Sequence, residues 1–107
     1  MANNYLQRGG TIDIDAGEAA IASGALVALG DMVVIAIGHI EPHHAGVGLT
    51  EGVFLVPKLE SDVIELGKKL HLKNGVVQLS ASGAVYAGKA WASAGAGTTL
   101  VAVKINA

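Results

Sequence analysis

Two clusters in this 107-residue chain carry residue types that do chemistry in other contexts. The first is Gly83-Ala-Val-Tyr-Ala-Gly88-Lys89, which matches the first seven positions of the phosphate-binding loop GxxxxGK. Such a loop needs a hydroxyl at its eighth position for Mg²⁺, and a helix starting at Gly-Lys so that backbone N–H groups and the helix dipole face the phosphates. Here the eighth residue is Ala90 and the continuation is AWASAGAG. Val85, Ala87, Lys89 and Trp91 alternate with Tyr86, Gly88 and Ala90, so the segment reads as a strand. No apolar run ending in a Walker-B aspartate stands elsewhere as its partner.

The second cluster is His39, Glu41, His43 and His44. Imidazoles and a carboxylate are zinc ligands, but HxExHH is not a recognised ligand spacing and Pro42 marks a surface loop, so solvated loop histidines are the plain reading. Nucleophilic chemistry has little to use: the chain has no cysteine and no GxSxG elbow, and Ser23, Ser61, Ser80, Ser82 and Ser93 lack a suitably spaced histidine. Asp13 and Asp15 share one strand face, where paired carboxylates are normally solvated and block edge pairing. No catalytic residue, cofactor or metal ligand is assigned.

The elements are clearer than the chemistry. In Leu70 to Leu79, LHLKNGVVQL, an Asn74-Gly75 type I′ turn sets Lys73 opposite Val76, Leu72 opposite Val77, His71 opposite Gln78 and Leu70 opposite Leu79. One face of that hairpin is apolar (Leu70, Leu72, Val77, Leu79) and the other carries His71, Lys73, Val76 and Gln78. Gly30-Asp31, a Gly-first pair suited to a type II′ turn, joins Ala25 to Leu29 with Met32 to Ile37. Thr11 to Asp15 alternates, with Ile12 and Ile14 on one face, and Leu100 to Asn106 does the same with Val101, Val103 and Ile105. His39 to Gly48 reads as a loop. The unbroken run Val53-Phe54-Leu55-Val56, stopped by Pro57, predicts a strand covered on both faces. Ser61 to Leu66 suits either a helical turn or a connector, and Ala84 to Ala92 is a further strand. About eight short strands between Gly turns predict an all-β fold, a small single-domain antiparallel barrel or sandwich. Residues 1–10, largely polar with Tyr5 and Leu6 as isolated apolar handles, read as a flexible N-terminal arm ahead of one β domain over 11–107.

Composition narrows the function classes. Apolar residues make up 51% of the chain and charged residues 15%, too apolar for disorder, and the mean hydropathy is well above zero, so some apolar surface is expected to meet other protein chains. The net charge of −2 and seven scattered Lys and Arg residues offer nothing to nucleic acid. Ala19 to Gly38 is long enough to span a membrane, but Asp31 within it costs about 2.5–3.5 kcal/mol at a bilayer centre, and the hairpin reading fits better. The first ten residues lack the apolar core of a secretion signal.

Glu51-Gly-Val-Phe-Leu-Val-Pro-Lys58, then Gly67 and Leu70, the Asn74-Gly75 turn and the late Gly88-Lys89-Ala90 strand occur in an order that resembles the capsid cement or decoration family of tailed phages. The resemblance runs from about Asn4 to Asn106. It implies a non-enzymatic β-rich protein of the virion that binds the outside of an expanded icosahedral head, commonly as a homotrimer that can form on the capsid itself, and reinforces contacts between major capsid proteins. Before docking, such a protein resides in the host cytoplasm. On this reading the arm adds a strand to an exposed capsid edge, and Tyr5, Leu6, Gln7, Arg8, Phe54 and Trp91 are the candidate capsid or oligomer contacts. The alternative is a small oligomeric ligand- or metal-binding β-barrel with the His39–His44 loop at its mouth.

Overall fold

The computed structural model describes Asn4, Leu6 and residues 9–107. Nine strands follow in chain order: β1 (Thr11–Asp15), β2 (Leu26–Leu29), β3 (Met32–Ala36), β4 (Ala45–Leu49), β5 (Val53–Pro57), β6 (Lys69–Lys73), β7 (Val76–Gln78), β8 (Val85–Ala90) and β9 (Leu100–Ile105). All pairings between these strands are antiparallel, and they form two sheets, β1-β4-β3-β2 and β5-β9-β8-β6-β7. The sheets do not close into a barrel; the architecture is sandwich-like. Among the described residues no helix is long and apolar enough to cross a membrane.

Turn chemistry acts where the sequence predicts. Asn74 and Gly75 both have positive φ (52° and 81°), as a type I′ turn requires, and His71, Leu72 and Lys73 pair with Gln78, Val77 and Val76. Leu70, Leu72 and Val77 are buried, whereas Leu79 lies past the end of β7, exposed, its N–H donating to Asp62 Oδ2 at 2.8 Å. Gly30 alone of its pair has positive φ, and Leu29 pairs with Met32 across it, which is the type II′ arrangement.

Three expectations change. The strand covered on both faces is β3, where Val33, Val34, Ile35 and Ala36 are all buried, not β5, whose outward residues Val53 and Leu55 are open. β5 is an edge strand ending in proline, and only Phe54 and Val56 turn inward. The last four residues of the segment read as a loop, Ala45 to Gly48, belong to strand β4. Its glycines face apolar side chains so closely that a Cβ at Gly46 would lie 2.4 Å from Ile40 Cδ1 and one at Gly48 2.9 Å from Val34 Cγ2. The alternation read through Val85 to Trp91 is broken by a bulge: Leu70 pairs with Gly88 but His71 with Tyr86, so Val85 and Ala90 both face inward. Ser61 to Leu66 is a connector with an isolated bridge from Ile64 to Ala94.

Two apolar clusters result. The larger lies between the sheets, with Val33 and Ile35 of β3 meeting Val56, Leu70, Leu72, Val77, Val101, Val103 and Ile105. The smaller, Ile14, Val34, Ala36 and Ile40, lies on the opposite face of the first sheet with Ile21, Val27 and Met32 packed on it. Asn106 ties the sheets together. Its amide donates to Val33 O and Thr50 O, both at 2.7 Å, and its Oδ1 accepts from Val33 N at 3.1 Å. Lys58 is buried at the start of the β5 to β6 connection and donates to Thr98 O at 3.0 Å and, more weakly, to Gly95 O at 3.4 Å.

Candidate functional site

The phosphate-loop match dissolves once the strand is in place. Gly88 sits in β8 with φ +149°, and a Cβ there would lie 2.1 Å from the carbonyl oxygen of Lys104, so this glycine serves the close approach of β8 to β9. Lys89 follows it on the outward face of the sheet, exposed, opposite Lys104 and Lys69. No helix begins there to present N–H groups to a phosphate.

The histidine cluster is likewise locally engaged. His39 Nε2 lies 2.8 Å from Glu41 Oε1, His44 Nδ1–H donates to Pro42 O at 2.9 Å, and His43 adopts a left-handed φ of 62° with its N–H on Gly17 O. Among the described residues no group of three or more His, Asp or Glu side chains converges as a metal site. A shallow groove of about 380 Å³ lies elsewhere, lined by Gly10, Thr11, Leu49 and Glu51, where the Gly9-Gly10 segment is held to Thr50.

The surface that stands out is the outward face of the five-stranded sheet. Residues directly opposite one another in an antiparallel pair share a face. Leu55 faces Ala102, and Trp91 follows on the far side, its N–H donating to Ala102 O at 2.8 Å. Leu55 is 65% and Trp91 52% exposed, and Val53 and Leu100 extend the apolar area. The next row, one pleat along, is Val53, Lys104, Lys89 and Lys69. Three like charges thus stand in adjacent strands, although in the sequence the cations look scattered. Lys104 Nζ lies 5.1 Å from the Trp91 ring centre, a cation–π contact joining the basic row to the apolar one. Beyond the lysines, His71 and Tyr86 meet edge to face, and Tyr86 Oη donates to Ala107 O at 2.6 Å.

The expected contact residues do not form one patch. Tyr5, Gln7 and Arg8 lie outside the described residues. Leu6 is 95% exposed. Phe54 is half-buried and packs against the core, on the opposite face of the sheet from Trp91. The residues that β5 does present are Val53 and Leu55, which strict alternation along the run would have indicated. Ala102 and the lysine row were not legible, because strand order places them together.

Taken together these features define a small β-sandwich with open apolar and charged sheet faces, a protein suited to contact with other chains. The comparison with known families is specific: the phage cement protein family matches residues 6–105, and the chain belongs to that family. Its members are structural proteins, so membership implies association with the phage capsid and a place in the virion. No curated protein and no solved structure matches the chain.

Proposed function

We propose that this protein is a decoration subunit: it binds the outside of the expanded capsid and stabilises it by bridging major capsid proteins, without catalysis. The family match over nearly the whole chain carries this reading. The open rows of the five-stranded sheet support it, since exposed apolar area of this kind marks protein contact. The working form is a homotrimer, assembled in solution or on the head. The arm, with Tyr5 and Leu6 as apolar anchors and Gln7 and Arg8 beside them, pairs with an exposed capsid strand, and backbone hydrogen bonds supply the affinity.

Co-sedimentation with heads built from the major capsid protein of the same phage tests this. Saturable binding to expanded heads, at three copies per local three-fold position and with unexpanded heads left bare, is the expected result. Equal binding to both forms removes the expansion-specific reading, and binding to neither removes the decoration role. Full occupancy after deletion of residues 2–8 eliminates the arm contact.

A further inference from the structure

On the part of its inter-sheet face that the second sheet leaves uncovered, the first sheet carries a counterpart to the lysine-bearing face. Asp13 of β1 lies opposite Val47 of β4, and Ile37, just past the end of β3, donates its N–H to Val47 O at 3.0 Å, so Asp13, Val47 and Ile37 line up in one row. All three are exposed, Ile37 at 52% and Val47 at 40%, and Asp15 stands two residues along on the same face as Asp13. This patch has an apolar centre with carboxylates at one edge. The opposing patch, Leu55, Ala102 and Trp91, has an apolar centre with Lys89 and Lys104 at one edge.

The charge division along the chain is strong, with Arg8 and Lys58 as the two basic residues that precede Glu65. All nine carboxylates fall between Asp13 and Glu65, whereas Lys68, Lys69, Lys73, Lys89 and Lys104 all follow Glu65. Among the described residues the lysines of the sheet face have no ion-pair partner; the ion pair found is His39 with Glu41. Like charges directly opposite across strands destabilise a sheet that stands alone. Their alignment in a row next to exposed tryptophan fits a surface whose carboxylates come from another molecule. The same fold carries a short apolar row, Ile37 and Val47, with Asp13 at its end and Asp15 beside it.

We propose that these two faces bind each other in neighbouring copies of this chain. Ile37 and Val47 of one subunit seat on the Leu55, Ala102 and Trp91 row of the next, with Asp13 and Asp15 set against Lys89 and Lys104. Repeated head to tail around three subunits, this contact between two different patches forms the ring that the proposed homotrimer requires. The inference rests on the self-association stated under the proposed function and names its surfaces.

Sedimentation of four forms of the full chain at low ionic strength tests the pairing: wild type, D13K/D15K, K89E/K104E, and the chain with all four reversed. Wild type self-associates, more weakly as salt is added, and Trp91 emission moves to shorter wavelength as concentration rises. Each half-reversed variant associates at least about tenfold more weakly, because it sets like charges against each other. The fully reversed chain regains the association, with the signs exchanged. An equimolar mixture of the two half-reversed variants associates as mixed pairs and open chains, since a three-membered ring of alternating variants always keeps one like-charged contact, and that mixed pairing is the readout if the fourfold variant fails to fold. Oligomers of wild type that persist in both half-reversed variants overturn the pairing of faces while leaving the homotrimer intact. Monomers of wild type at every concentration and salt overturn self-association in solution and this pairing with it. Loss in the half-reversed variants without rescue in either the fourfold chain or the mixture assigns the faces to another partner, the capsid first, and equally overturns the proposal.

Discussion

Asn106 offers the sharpest test of how the two sheets are held. β3 pairs with β4 only through Ile35 and Ala36, so at Val33 the ladder has run out and the Asn106 amide bonds both backbone groups of that fully buried residue. A third bond goes to Thr50 O. Removing the side chain leaves the Val33 N–H and C=O without partners, at about 1–3 kcal/mol for each buried group. Asn106 itself is exposed, so water reaches part of the gap, and a total of about 2–3 kcal/mol is expected. Its φ of +56° adds a separate term. Alanine in that conformation costs about 1–2 kcal/mol more than glycine, so Asn106→Ala is expected to exceed Asn106→Gly by about that amount. Asn106→Asp exchanges a donor for a charged acceptor facing two carbonyls and is expected to be no better than glycine. Urea unfolding followed by Trp91 fluorescence and far-UV circular dichroism reads these differences as shifts in midpoint at constant slope. In thermal scans, about 2–3 kcal/mol corresponds to a fall in Tm on the order of 10–20 °C for a domain of this size. A loss below about 1 kcal/mol in both Asn106→Ala and Asn106→Gly, the scale of an ordinary surface substitution, would refute the claim that this amide substitutes for a missing strand.

Three further substitutions probe the readings above. Gly88→Ala places a methyl 2.1 Å from the Lys104 backbone oxygen, so a destabilisation of about 3 kcal/mol or more, or failure to fold, is expected; a urea midpoint near wild type contradicts the close approach of β8 to β9. Lys89→Ala is expected to change stability by no more than about 0.5 kcal/mol, and calorimetry with Mg-ATP to give no saturable heat for either form, whereas binding that vanishes in the variant restores the phosphate-loop reading. Gly75→Ala, at φ +81°, is expected to cost about 1–2 kcal/mol while Asn74→Gly stays close to neutral, and equal losses at both positions in the same unfolding assay count against the type I′ turn.

What was legible in the sequence was local. The Asn74-Gly75 turn specifies its own φ angles and the apolar positions on either side agree with it, so three cross-strand pairs could be written down from ten residues. Val101, Val103 and Ile105 announced their face by strict alternation, and all three are buried. The misreadings share a cause, which is the non-local partner. Ala45 to Leu49 looks like a loop because Gly46 and Gly48 carry no strand signal, yet those glycines are required by Ile40 and Val34, residues on other segments that fill the space. The run at β5 looks doubly buried because Val53 and Leu55 are as apolar as Phe54 and Val56, and only the sheet order reveals that one face of this edge strand has nothing over it. The bulge opposite Leu70 is also set between strands, where Gly88 yields to β9.

The same distinction explains why the functional surface could not be found by motif. A catalytic site requires particular groups at particular distances, and such constraints leave recognisable spacing within a segment. A contact face built on a sheet requires that outward positions of several strands have matching character, and those positions are separated along the chain by whatever the connections demand. Lys69, Lys89 and Lys104 are neighbours only through the order β9-β8-β6, and Leu55, Ala102 and Trp91 only through the order β5-β9-β8. Each residue alone is an ordinary surface lysine or leucine. It is their alignment that makes an apolar row beside a basic one, and that alignment depends on register, so a one-residue slip of β9 would bury Lys104 and Ala102 and expose Val101 and Val103. The core alternation of β9 therefore serves two ends at once: the side chains that hold the sandwich together also determine which residues are offered to another chain.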